Sequence, residues 1–124
     1  MVRNYKELIV WQRGMDLVEA VYKVTRCFPR DEIYALTSQV RRAVVSIPSN
    51  IAEGQGRGGR PEFIHFLNVA HGSLQELETQ LLIAIRLGYL SAEVAEEPLH
   101  LLEEVARLNN GLLRSLQSSL PTTH

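Results

Sequence analysis

The sequence predicts an all-α protein, an antiparallel four-helix bundle whose second helix is kinked at a proline. Apolar residues recur at spacings of three and four along four long segments, which is the period of a helix. No run of four to eight residues alternates as a strand would, and proline, glycine or capping residues stand where the helices should end. We expect a single domain over residues 1–124, with helices at about residues 10–27, 31–53, 61–87 and 91–117.

The first helix carries an apolar stripe with the spacing 4-3-4-3-4, and a second stripe lies beside it. Phe28-Pro29 should end this helix, because proline disfavours helical geometry in the residue before it. We expect Cys27 to be a small residue of the core or its boundary. The first stripe comprises Val10, Gly14, Leu17, Val21, Val24 and Phe28, and the second Trp11, Met15, Val18, Tyr22 and Thr25.

The second helix should begin near Asp31, a good N-cap residue. Pro48 removes a backbone hydrogen bond and should kink the helix, which we expect to resume and continue to about Glu53. A glycine-rich connector follows over residues 54–60. The apolar side of this helix is predicted to comprise Ile33, Leu36, Val40, Val44 and Ile47.

The third and fourth helices should begin at Pro61, a residue favoured in a first turn, and at Ser91, a good N-cap. The short loops after the first and third helices favour antiparallel neighbours. Because Pro98 lies on the fourth apolar seam, the first turn or two of that helix should be offset. The predicted seams are Phe63, Leu67, Ala70, Leu74, Leu77, Leu81, Ala84 and Gly88, then Val94, Pro98, Leu101, Val105, Leu108 and Leu112.

The formal net charge of −1 conceals an asymmetry between the two halves of the chain. Residues 1–60 carry ten Lys/Arg and six Asp/Glu, whereas residues 61–124 carry three and eight. Any anion-binding surface should therefore be local and lie on the N-terminal half. The alternative explanation of the asymmetry is that the two oppositely charged halves attract each other within the bundle. No segment reads as a signal peptide or a membrane span, so we expect a cytoplasmic protein that does not contact membranes.

Four arginines are the candidate contacts to nucleic acid. Arg57 and Arg60 flank the predicted N-terminus of the third helix, whose free N–H groups attract anions such as phosphate. Arg41 and Arg42 lie in the middle of the second helix. For Arg57 and Arg60, the alternative is a flexible connector in which both arginines are solvated.

A polar strip on the second helix has a different predicted role. Arg42, Ser46 and Asn50 are four residues apart and share one face if the helix continues through Pro48. We favour hydrogen bonding to another helix over direct ligand contact. The small pair Gly72-Ser73 would allow two helices to approach closely, and Glu76 is a candidate ion-pair partner for Arg42.

The residues do not assemble a recognisable catalytic, cofactor or metal site. Glu62 and His65, like Glu97 and His100, have the spacing of di-iron ligands, but the apolar seams turn them away from the bundle core. The glycine pattern of residues 54–59 lacks the preceding strand that a dinucleotide-binding fold requires. We therefore expect a protein that is not an enzyme and needs no cofactor.

The helices carry more apolar residues than one seam requires, and a helix that is apolar around most of its circumference is covered on more than one side. Self-association into a homo-oligomer is one explanation. The alternative is that these side chains thicken the core of a monomer. The extra positions include Phe66, Leu82, Ile83, Ile85, Leu99, Leu102 and Leu113.

Several motifs together resemble the four-helix bundle proteins encoded in intervening sequences of bacterial 23S ribosomal RNA genes. They are Leu8-Ile9-Val10-Trp11-Gln12, Phe28-Pro29, residues 36–43, residues 46–54, and residues 63–70 with 72–79. The resemblance covers about residues 5–117, and residues 46–54 are its most specific part. Gly14 and Gly59 depart from the family pattern, which more often has alanine and serine there. The motif residues with an expected structural role are Ser46, Pro48, Asn50, Glu53, Gly54, Gly72, Ser73 and Glu76.

This resemblance implies a ring-like homo-oligomer, a pentamer, without enzymatic activity. The genetic setting of the family, and its similarity to an accessory protein of diversity-generating retroelements, imply contact with RNA, DNA or a ribonucleoprotein. The acidic C-terminal half argues against strong RNA binding by this member. Two hypotheses follow: an accessory protein that binds nucleic acid, and a protein–protein interaction scaffold without nucleic-acid contact.

Overall fold

The computed structural model describes residues 4–118, which form four α-helices and two short 3-10 turns, with no strand in that range. The helices are α1 (Ile9–Thr25), α2 (Leu36–Gly56), α3 (Arg60–Arg86) and α4 (Ala92–Ser118). Helix α1 packs against α2 and α4, and α3 packs against the same two helices. The predicted all-α four-helix bundle is therefore confirmed.

The core follows the seams predicted for α1 and α3. Every member of the first α1 stripe is buried. The α3 seam is buried from Leu67 to Ala84, whereas Phe63 is half-buried and Gly88, beyond the helix end, is exposed. Of the second α1 stripe, Met15 and Tyr22 remain 40% and 36% exposed. Cys27, expected in or beside the core, is exposed in the turn after α1, so that prediction was wrong.

The predicted seam of α4 is shifted by one residue over most of its length. Val94 is 46% exposed, and Leu101, Leu108 and Leu112 are only partly buried. Pro98 and Val105 belong to both registers. The buried positions are Ala95, Pro98, Leu102, Val105, Asn109 and Leu113. Asn109 is fully buried and its Nδ2 donates to the carbonyl of Leu67 at 3.0 Å.

The start of α2 also differs from the prediction. Asp31 lies in a 3-10 turn, Ile33 is 50% exposed, and the helix begins only at Leu36. The Leu36 N–H donates to Oε1 of Glu32 at 3.2 Å, so Glu32 rather than Asp31 satisfies a free donor of the first turn. Its other oxygen, Oε2, accepts from the Tyr89 hydroxyl at 2.8 Å, which raises the pKa of Tyr89.

Helix α2 continues through Pro48 and ends at Gly56, three residues beyond the predicted Glu53. The predicted continuation is confirmed, and the kink stays a prediction. Pro48 is buried and faces Gly14 of α1, where a Cβ added to the glycine would lie 3.5 Å from the Pro48 Cβ. This is an ordinary van der Waals distance, so an alanine fits at position 14.

Gly14→Ala is therefore expected to stabilise the bundle by about 0.5–1 kcal/mol, because glycine inside a helix costs that much relative to alanine. Urea denaturation of the variant and the wild type would measure the change. Gly72→Ala is the matched control, since Gly72 lies inside α3 with no atom within 4 Å of its added Cβ. A loss of stability at position 14 alone would show that α1 and α2 approach more closely than the structure has them.

Candidate nucleic-acid interface

The four predicted arginines occupy two separate places. Arg41 and Arg42 lie in the first half of α2, whereas Arg57 follows its last residue and Arg60 begins α3. Arg42 and Arg57 are fifteen positions apart in the chain, a distance of roughly 22 Å at the α-helical rise. One phosphate cannot bridge that distance, so these arginines do not form a single anion-binding cluster.

Arg41 is fixed against α1. Its Nε donates to Thr25 Oγ1 at 2.9 Å, and its guanidinium carbon lies 4.6 Å from the centroid of the Tyr22 ring. Such a cation–π contact favours one orientation of the guanidinium group. Arg41 lines a groove of about 630 Å³ together with Tyr22, Ile33 and Tyr34.

Arg42 projects into a second groove, between α2 and α3, of about 530 Å³. Ser46 and Asn50 line the same groove, so the three predicted strip residues do share a face. The groove also contains Glu76, but Arg42 and Glu76 are both exposed and do not form the predicted ion pair. Because water reaches both groups, neither charge needs the other as a partner.

A pair of serine hydroxyls connects α2 to α3 in this groove. The Ser46 and Ser73 hydroxyl oxygens are 2.6 Å apart, and the Ser46 hydroxyl lies 2.7 Å from the Ala43 carbonyl oxygen. Since a carbonyl only accepts, Ser46 donates to Ala43 and accepts from Ser73. Gly72 is exposed and lies away from any neighbouring helix, so Ser73 alone of that small pair mediates the approach.

The connector after α2 holds the other two arginines. Arg57 Nη2 donates to Glu53 Oε2 at 2.7 Å, and its guanidinium carbon lies 5.2 Å from the Phe66 ring centroid. Arg60 is exposed at the start of α3. Glu53 already offsets the charge of Arg57, which weakens the electrostatic attraction of this site for a phosphate.

Sequence reasoning overlooked two arginines at the turn between α1 and α2. Arg26 and Arg30 line a cavity of about 220 Å³, and Arg41 lines it as well. Both arginines are exposed. The signal available in the sequence was their placement on either side of Phe28-Pro29, because a turn at that proline brings flanking side chains to the same end of the bundle.

The groove between α1 and α4 has a different electrostatic character. This groove has a volume of about 670 Å³, and both basic and acidic side chains line it. The basic residues are Arg13, Lys23 and Arg26, and the acidic residues are Asp16, Glu19 and Glu97. Arg13 contacts Asp16 at 3.1 Å and Glu104 at 3.0 Å, and the bond to Asp16 is the main cause of its raised pKa. Exposed pairs of this kind contribute little to stability, and they leave the groove poorly suited to anions.

No group of three or more His, Cys, Asp or Glu within residues 4–118 is placed to hold a metal ion. His65 and His100 are exposed on α3 and α4. No helix among these residues is long and apolar enough to cross a membrane.

Comparison with known proteins identifies the family. The model of the 23S rRNA-intervening sequence protein family matches residues 6–111. A protein of unknown function from the S23 ribosomal protein family of Bacteroides thetaiotaomicron has a solved structure that superposes with a TM-score of 0.78 at 23% identity, covering 85% of this chain and 98% of that one. Among curated proteins, none matches. The chain therefore belongs to the 23S rRNA-intervening sequence protein family.

Proposed function

We propose that this chain is a non-enzymatic, homo-oligomeric accessory protein that binds nucleic acid or a ribonucleoprotein in the cytoplasm. The observation that carries the proposal is that arginines in the basic half of the chain are accessible to a ligand. Arg42, Arg57 and Arg60 are exposed, and Arg41 is half-buried at the edge of a groove. Arg41 and Arg42 form no ion pair with a carboxylate in residues 4–118, so both are available to phosphates.

The proposed self-association rests on exposed apolar side chains where α3 ends and α4 begins. Scattered apolar residues on a surface are ordinary, but several at one end of a bundle are typical of an interaction site. A ring of five copies, as the family resemblance implies, would multiply the arginine contacts. The exposed residues are Leu82 at 49%, Ile83 at 41%, Leu87 at 55% and Val94 at 46%.

The same apolar surface favours a second candidate, a scaffold that binds a protein partner and no nucleic acid. Helix α4 carries five glutamates, which repel a polyanion and would suit a basic partner. The two candidates differ in salt dependence, because phosphate contacts release counterions and a protein interface of ordinary polarity does not.

Fluorescence anisotropy of labelled RNA and DNA oligomers, titrated with the purified protein at about 50 to 200 mM salt, separates these candidates. We expect binding that weakens steeply as salt rises, and that weakens further in Arg57→Ala/Arg60→Ala if the connector contributes. Sedimentation velocity on the same samples measures the number of copies. The absence of binding at the lowest salt would contradict the nucleic-acid proposal and leave the scaffold.

A further inference from the structure

Four arginines and two tyrosines surround the junction of α1 and α2, a surface that we call the arginine corner: Arg26, Arg30, Arg41, Arg42, Tyr22 and Tyr34. We infer that the arginine corner binds an unpaired segment of RNA or DNA, an inference that rests on the proposed nucleic-acid function. The corner consists of two adjoining cavities, of about 220 and 630 Å³, which share Ile33, Thr37 and Arg41 in their walls.

The two cavities of the corner have a cationic lining, and two of its arginines, Arg26 and Arg42, also border neighbouring grooves that contain carboxylates. No aspartate or glutamate lines either cavity, and none of its four arginines forms an ion pair within residues 4–118. Glu32, in the adjacent 3-10 turn, has one oxygen bonded to the Leu36 N–H and the other to the Tyr89 hydroxyl. Those two bonds hold the carboxylate at the start of α2, and neither Glu32 nor Asp31 of the same turn forms an ion pair with an arginine of the corner.

The other cationic places on the described surface lack this property. Three carboxylates share the α1–α4 groove with its basic residues. Glu76 lies in the groove that Arg42 also enters, and Glu53 is bonded to Arg57 at the connector. An anion therefore meets the least electrostatic opposition inside the two cavities of the corner, near Arg30 and Arg41, which border no groove on the described surface that contains a carboxylate.

Aromatic and apolar side chains indicate that the ligand offers more than phosphate. Tyr34 is 95% exposed, with both ring faces open to solvent, and Tyr22 is exposed to about a third. Ile33 and Val45 add apolar walls to the larger cavity. An aromatic ring beside a basic groove is the arrangement by which proteins stack the bases of single strands. A duplex presents phosphates but covers its base faces, so the tyrosines would gain nothing from it.

Part of the corner is already ordered for binding. The bond from Arg41 to Thr25 and its contact with the Tyr22 ring fix the guanidinium group between the two cavities. A side chain ordered before binding loses less conformational entropy when the ligand arrives. Arg41 would thus anchor one phosphate while Arg26 and Arg30 contact its neighbours.

The test is an anisotropy titration of a labelled single-stranded RNA, the same sequence as DNA, and the RNA annealed into a duplex, at several salt concentrations. Arg26→Gln/Arg30→Gln should weaken single-strand binding and reduce the salt slope by about 0.7 for each phosphate that the variant no longer neutralises. Tyr34→Ala should weaken it about fivefold or more, whereas Tyr34→Phe, which keeps the ring, should bind like the wild type. Arg107→Gln/Arg114→Gln, with the same charge change on α4, is the matched control and should also bind like the wild type.

All the substituted residues are exposed, so circular dichroism should report unchanged folding. The inference is overturned if Arg26→Gln/Arg30→Gln and Tyr34→Ala bind as the wild type does while Arg57→Ala/Arg60→Ala fails to bind. That result would preserve the proposed function and place its site at the connector. Duplex binding as tight as single-strand binding, with Tyr34→Ala unaffected, also overturns it. So does dissociation of the oligomer by Tyr34→Ala, which would assign the corner to contact between copies. Failure of the wild type to bind any oligomer at about 50 mM salt contradicts the proposed function itself.

Discussion

Asn109→Asp is expected to destabilise the bundle by about 3 kcal/mol at pH 7, because it places a carboxylate in a fully buried position without a cation. The Asn109 amide donates to the Leu67 carbonyl at 3.0 Å, and its Oδ1 has no partner. An ionised carboxyl there has only acceptor oxygens, so it would lose the bond to Leu67 and face the carbonyl oxygen instead.

The penalty should depend on pH in a defined direction. Burial raises the pKa of the introduced carboxyl above the value of about 3.9 in the unfolded chain, because it disfavours the charged form. The native state then holds the proton more tightly than the unfolded state does. The variant should therefore approach wild-type stability below about pH 4 and lose it as the pH rises through the raised pKa.

Asn110→Asp, one residue further along α4 and only half-buried, is the matched control. Urea denaturation of both variants and the wild type, at a series of pH values, gives the difference in unfolding free energy at each pH. Equal losses for the two variants, or a loss at position 109 that does not change with pH, would contradict the buried location of Asn109.

Gly54→Ala should destabilise the protein by about 1–2 kcal/mol, although alanine is the better helix former. A Cβ at this position would lie 2.6 Å from the Phe66 Cβ and 3.2 Å from Phe63 Cδ1. The Phe66 Cβ is attached directly to the α3 backbone and cannot rotate away, so the two helices must separate. This contact gives a physical reason for a glycine in the segment that carries the family resemblance.

Gly56→Ala provides the comparison for this effect. Gly56 is the last residue of α2, and its added Cβ meets no atom within 4 Å. Thermal unfolding should show a lower Tm for Gly54→Ala and a Tm for Gly56→Ala that is equal to or above that of the wild type. A neutral result at position 54 would mean that α2 and α3 adjust their spacing at little cost.

The sequence predicted the fold where a single apolar period dominates. On α3 the seam residues are apolar and the positions beside them are more polar, so the period identifies the buried face. On α1 two apolar stripes are adjacent, and the first of them is the buried one. On α4 two registers are both rich in leucine, and the buried one contains Asn109. Because asparagine is polar, a prediction from apolar spacing assigns that register to the surface. The bond from Asn109 to α3 is a tertiary contact, and local spacing does not report it.

The start of α2 was mispredicted for a similar reason. Asp31 has the preferred chemistry of an N-cap, but the bond that satisfies Leu36 comes from Glu32. Glu32 is in turn held by Tyr89, 57 residues away in sequence. A capping preference is local, whereas this arrangement depends on α3 ending beside the turn.

Only part of the candidate site could be predicted from residue types. Arg41 and Arg42 are adjacent in the sequence, yet neighbours on a helix point about 100° apart and do not face each other. Arg41 packs on α1 and Arg42 enters the α2–α3 groove. Their association with Arg26 and Arg30 requires the path of the chain around Pro29, which the apolar period does not contain.

The exposed position of Cys27 has a practical consequence for measuring ligand binding at the arginine corner. It is the one cysteine in the chain and follows Arg26 directly, so thiol-reactive chemistry can place a single fluorophore beside the arginine corner. A dye at that position would change its emission when a ligand occupies the adjacent cavities. The native sequence therefore contains its own labelling site, and binding to this face can be followed without introducing or removing a cysteine.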